Sequence, residues 1–151
     1  MPCFEEGRVP ELDARSLGAV IEHSGDAIIY ANTAGVIEIW NRAASSLFGY
    51  SAEEARSGTM DLIVPDKLRA AHWAGFHRAM DTGNTRLSGR PTITRASHKS
   101  GARLYVEMTF AIVRADDGTV LGAVAVARDA TERYEQARAQ KAQPPAESQR
   151  P

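Results

Sequence analysis

The segment 103–113 constrains this chain more than any other. Leu104, Val106, Met108, Phe110 and Ile112 alternate with Arg103, Tyr105, Glu107, Thr109 and Ala111. Every even position is apolar. That period of two belongs to an extended strand with one buried face. A strand needs partners, and candidates flank it. Thr92–Ala96 precedes it and Val120–Ala127 follows, set off by turns at Lys99-Ser100-Gly101 and Asp116-Asp117-Gly118. Nearer the start, Ala27–Ala31 and Val36–Trp40 are joined by Asn32-Thr33-Ala34-Gly35, where Asn and Gly tolerate positive φ.

Helical signals fill the gaps. Leu12, Leu17, Val20 and Ile21 predict a short amphipathic helix over 11–24 that caps the domain. Asn41 caps a helix from Arg42 to Phe48, which stops at Gly49. Ser51-Ala52-Glu53-Glu54 opens another with a capping-box pattern. Pro65 begins a longer helix to about Asp81, closed by Thr82-Gly83-Asn84, because proline costs nothing in a first turn. Residues 129–140 read as an exposed helix with Thr131, Tyr134 and Ala137 on one side. Two strands, grouped helices and three strands indicate an α+β fold. We expect a five-stranded antiparallel sheet with helices packed on one face around a ligand pocket.

Composition narrows the class. The 151 residues suit one domain with one core. A net charge of −1, from 18 basic and 19 acidic side chains, leaves no footprint for nucleic acid. The single cysteine, Cys3, excludes an internal disulfide, a CxxC zinc site and covalent CxxCH heme attachment. There is no apolar leader, and no apolar run approaches the ~18–20 residues of a membrane span, so a cytoplasmic protein without membrane contact is expected. Residues 1–10 and the polar tail 141–151 are expected to be disordered, with the domain at 11–131 and a C-terminal helix at 132–140.

One polar residue interrupts the long helix. Leu68, His72, Phe76 and Met80 recur every four residues and form one stripe, flanked by Ala71, Gly75 and Ala79. An imidazole bordered by small residues has two readings. It is a core histidine bonded to a backbone carbonyl, or it is the nitrogen ligand of a heme iron that a flat macrocycle brings close to the helix. His77 faces away, and His23 and His98 sit at turns, so no HxxxH or HExxH zinc pairing exists. Asp26, Asp61 and Asp66 read as caps and turn residues, and Trp40 and Trp73 as core or interface. Phosphate loops and nucleophile elbows are absent.

These residues together resemble the PAS family. The resemblance runs from about Leu17 to Thr131. It is carried by Asp26-Ala27-Ile28-Ile29, Gly35-Val36-Ile37, Trp40-Asn41-Arg42-Ala43-Ala44, the stretch from Phe48 to Glu54, and the exit Arg128-Asp129-Ala130-Thr131-Glu132-Arg133. It implies the fold expected above, and it leaves the ligand open, since pockets of this fold serve many ligands. More narrowly, Val64 to His72 resembles the heme helix of FixL-type oxygen sensors, with Pro65 seven residues before His72. That resemblance implies heme b on His72 and propionate contacts from Arg78 and Arg86. It further implies cofactor contacts from Leu68, Phe76, Leu104 and Val106, and distal apolar residues Met108 and Phe110. Thr92 stands where those sensors have an oxygen-binding arginine, which puts oxygen sensing in doubt; Arg90 is the nearest substitute. Met108 is either a sixth iron ligand or a packing residue. Flavin photochemistry of the LOV kind is excluded, because Cys3 lies outside the pocket helices; plain FAD binding is not.

Two functions follow from the resemblance. Read as a complete chain, the protein carries no output domain. It is then similar to stand-alone heme PAS lyases that release nitrite from N-nitroglycine, with Arg90 or Thr92 meeting the small-molecule substrate; this is the leading expectation. The alternative is a diatomic gas or redox sensor that signals through a partner. A module that binds nothing and only dimerises is the third. A homodimer through the terminal helices is expected in each case.

Overall fold

Local sequence signals turn into caps and turns at the expected places. The structure, a computed structural model, describes residues 11–87 and 89–143. Cys3 and the segments expected to be disordered, apart from residues 141–143, lie outside them. Helix α1 (Ala14–Glu22) leads into the hairpin β1 (Ala27–Asn32) and β2 (Ile37–Trp40). Helices α2 (Arg42–Phe48) and α3 (Ala52–Ala55), a 3-10 turn (Met60–Leu62) and α4 (Asp66–Thr82) follow. Then come β3 (Thr92–Ser97), β4 (Arg103–Arg114), β5 (Val120–Asp129) and α5 (Thr131–Ala142). No described helix is long and apolar enough to cross a membrane.

The strands form one antiparallel sheet in the order β2-β1-β5-β4-β3. The expected α+β architecture is therefore the observed one. Register places Ile112, Phe110 and Met108 of β4 beside Ala123, Ala125 and Ala127 of β5, and these beside Ala31, Ile29 and Ala27 of β1. That face carries the core: Trp40, Phe48, Ile29, Ile37 and Val106 are fully enclosed. Asn41 is buried with them and satisfied on all sides. Its Oδ1 accepts from the Ile28 and Ala44 amides, and its Nδ2 donates to the Ile21 and Asp26 carbonyls. One side chain thus caps α2 and fastens it to β1 and α1. Gly49 ends α2 in the left-handed region, and Ser51 with Glu54 completes the capping box.

Two expectations need correcting. Tyr105 belongs to the outward set of β4 yet is buried, because Tyr134 of α5 stacks on it at 3.8 Å. Alternation assigns a face; it does not know that a later helix covers that face. The apolar residues of the N-terminal helix do not cap the core either. Leu12, Leu17 and Val20 are 57, 49 and 63% exposed, since only the C-terminal end of α1 meets the domain.

Candidate functional site

Helix α4 is held at its ends and loose in its middle. At the start, Arg69 donates to the Val64 and Asp61 carbonyls and pairs with Asp66 at 2.7 Å. Trp73 Nε1 donates to Asp61 Oδ1 at 2.8 Å. The Trp73 ring lies against Gly35, where a Cβ would come within 2.4 Å of it, so only glycine suits that turn at φ +81°. At the far end Gly83 caps the helix, and Arg114 donates to its carbonyl. Between these anchors no residue of α4 is fully buried, and His72, Phe76 and Ala79 are half-buried.

The looseness leaves a cavity of about 360 Å³ between α4, the following loop and the inner sheet face. That volume lies in the range of small-molecule sites. Ala71, His72, Gly75, Phe76, Arg78 and Ala79 form its helical wall; Asn84, Thr85, Arg86 and Leu87 form a second; Phe110, Ile112 and Ala123 form the sheet wall. A Cβ on Gly75 would meet nothing within 4 Å. His72 Nδ1 is buried and has no hydrogen-bond partner among the described residues. The ring instead stacks near Phe76 (centroids 6.4 Å apart, 22° between planes) and meets Trp73 edge-on. Burial holds the imidazole below its ordinary range, and the Asp61 carboxylate pulls it partly back. His72 is therefore neutral at neutral pH, the form that ligates metals.

The structure brings together five of the residues expected at the site: His72, Phe76, Arg78, Arg86 and Phe110. Leu68 lines a different hollow with Pro65 and Tyr134. Leu104 and Val106 pack in the core with Ala96, and Met108 is buried there too. Thr92 pairs with Met108 in the sheet, and neither Thr92 nor Arg90 lines the cavity. Sequence reasoning missed Leu87, Asn84 and Thr85, which lie in an irregular loop without period. It also missed Ala123, for which a signal existed. Ala123, Ala125 and Ala127 alternate with Val124 and Val126, so the central strand keeps its inner face small.

The family model described as the PAS fold matches residues 21–135. The chain belongs to the PAS family. Among relatives of this PAS domain, the "Oxygen sensor protein DosP" of Escherichia coli (strain K12) is 25% identical over 122 residues, which are 81% of this chain and 14% of that protein. The "Sensor protein FixL" of Bradyrhizobium diazoefficiens is 27% identical over 93 residues, 62% of this chain and 18% of that protein. The chain thus spans less than a fifth of either sensor. A solved PAS domain from Colwellia psychrerythraea superposes with a TM-score of 0.66 at 21% identity, over 78% of this chain and 97% of that one. At that identity the likeness concerns the fold.

Proposed function

We propose that this PAS domain is a ligand-binding sensor that holds heme b at His72 and passes the state of its pocket to a partner. One observation carries the reading: a neutral imidazole with an unsatisfied buried nitrogen, on the wall of an apolar cavity, beside the small residues Ala71, Gly75 and Ala79. An orphaned buried nitrogen costs roughly 1–3 kcal/mol unless something pairs with it. Among the described residues no three His, Cys, Asp or Glu side chains converge. A metal at His72 would therefore need to bring its other ligands along, as a macrocycle does. Arg78 and Arg86 supply positive charge at the same cavity for the carboxylates of such a group. Heme bound there would supply an iron that takes up a diatomic gas reversibly. The protein's own residues would hold and orient it, keep water out through Phe76, Phe110 and Ile112, and carry displacement of β4 to α5.

The named sensors among the relatives support sensing over the nitrite-releasing lyase. The lyase reading drew on the absence of an output domain, and a chain that covers 14–18% of its relatives gives that absence no weight. It also placed substrate near Arg90 and Thr92, which do not line the cavity. For assembly, the exposed Leu17 and Val20 of α1 support pairing with a second copy.

The test is an absorption spectrum after addition of hemin. Wild type is expected to develop a Soret band, and His72→Ala to lose it. A band that persists unchanged in His72→Ala removes His72 as the ligand.

A further inference from the structure

The sheet has an open edge at β3, and hydrogen bonding shows which groups it offers. The Ser97 amide donates to the Ile63 carbonyl, away from β4. Across the same pairing frame, Tyr105 turns its own backbone toward the other side, where its amide meets Thr131 and its carbonyl accepts from Ala130. Ladder pairs in an antiparallel sheet alternate, so Arg95 and Ile93, which sit opposite Tyr105 and Glu107, also point their N–H and C=O groups outward. The segment carrying Ile63 closes the edge at Ser97 and no further. The four main-chain groups of Ile93 and Arg95 face a groove of about 700 Å³ between β3, the start of α4 and α5.

The groove is apolar in its walls and basic at its rim. Leu68 and Ile93 are each 40% exposed, and Pro65 and Tyr134 line it beside them. Arg69 is already paired with Asp66, whereas the exposed Lys67 and Arg95 have no carboxylate partner among the described ion pairs. Charge decides the occupant. A second copy docking edge to edge around Ile93 and Arg95 would bring two Arg95 side chains within diagonal reach on one face, which is repulsive.

We propose that the β3 edge docks an extended acidic segment of a partner protein. The segment adds a sixth strand through the main chain of Ile93 and Arg95. On the face that these two share it sets a carboxylate on Arg95 and an apolar side chain on Ile93, and its other face meets Leu68 and Lys67 with one apolar and one acidic side chain. The groove touches both the helix that carries His72 and the exit helix α5, so an occupant there meets both ends of the domain's signalling path. This inference does not depend on any ligand at His72.

Amide exchange read by NMR on the full chain tests it, with an acetylated, amidated Val-Leu-Glu-Glu-Val peptide as the probe. Saturating peptide is expected to slow exchange at Ile93 and Arg95 about tenfold. The same peptide with Lys for Glu is expected to give no protection, and Arg95→Glu to weaken binding about tenfold. His72→Ala should leave all of this unchanged. Absence of protection at these two amides overturns the proposal, as does equal binding of the Lys peptide. Protection that is already present in the free protein also overturns it. If that protection grows with protein concentration, the occupant is a second copy; if it vanishes on deletion of residues 2–10, it is the chain's own N-terminal segment.

Discussion

One sheet face serves two regions that are built in opposite ways. Beneath α2 and α3 it is filled: Trp40 and Phe48 are fully enclosed with ring centroids 5.5 Å apart, Trp40 Nε1 reaches the Tyr50 carbonyl, and Asn41 makes four hydrogen bonds. Along α4 no residue is fully buried, Ala71, Gly75 and Ala79 line a cavity, and a buried histidine nitrogen goes unpaired. Stability and ligand space are thus divided along the same strands. The filled half maintains the fold, and so the α4 half is free to stay open.

The largest effect is expected in the filled half. Trp40→Ala removes the biggest enclosed side chain and should cost about 3–5 kcal/mol in denaturant unfolding. Asn41→Ala strands the Ile28 and Ala44 amides and should cost about 2–3 kcal/mol. His72→Ala, on the open side, should stay within about 1 kcal/mol of wild type, since it deletes an unsatisfied nitrogen along with its contacts. A His72→Ala protein as unstable as Trp40→Ala would erase the distinction between the two halves.

The same division explains what the sequence revealed. Period-two patterning assigns faces, so Phe110 and Ile112 were legible as inward. It does not say where along a strand packing gives way to space, so Met108, two residues from Phe110, reads like a pocket residue and lies in the core. Steps of four placed Leu68 and His72 on one stripe correctly, but α4 spans from the β3 edge to the cavity, and one stripe crosses both. Caps fared best. Asn41, Gly49, Ser51 with Glu54, and Gly83 act within a few residues of themselves, and local chemistry is what a sequence records. Tyr105 depends on Tyr134, nearly thirty residues away, and no local pattern carries that contact.

A smaller effect of opposite sign sharpens the contrast. Gly75 lies in the interior of α4 with nothing within 4 Å of its would-be Cβ. Gly75→Ala should therefore raise stability by about 0.5–1 kcal/mol through helix propensity alone. Gly75→Phe should fill the cavity and suppress hemin uptake while the protein stays folded by circular dichroism. Destabilisation by alanine would mean that the helix packs more closely on the sheet than the cavity indicates.

The smallest effect is in pH. Burial holds the His72 imidazole below its ordinary 6.5, against a weaker upward pull from Asp61. As pH falls through 6.5 the unfolded chain takes up a proton at this residue and the folded chain does not. Unfolding is favoured in proportion to that difference. The contribution of His72 is thus fully present above about pH 6.5 and is lost as pH drops toward the lowered folded value. Glu54, lowered first by its hydrogen bond to Lys99, loses its contribution only as pH falls below its ordinary 4.5, so the two windows separate. The unfolding midpoint of wild type should fall between pH 7 and 5 more steeply than that of His72→Ala, and the difference between the two curves isolates one imidazole. Parallel curves would show that His72 is as well solvated folded as unfolded, and the open half of the sheet would then contain no buried nitrogen awaiting a partner.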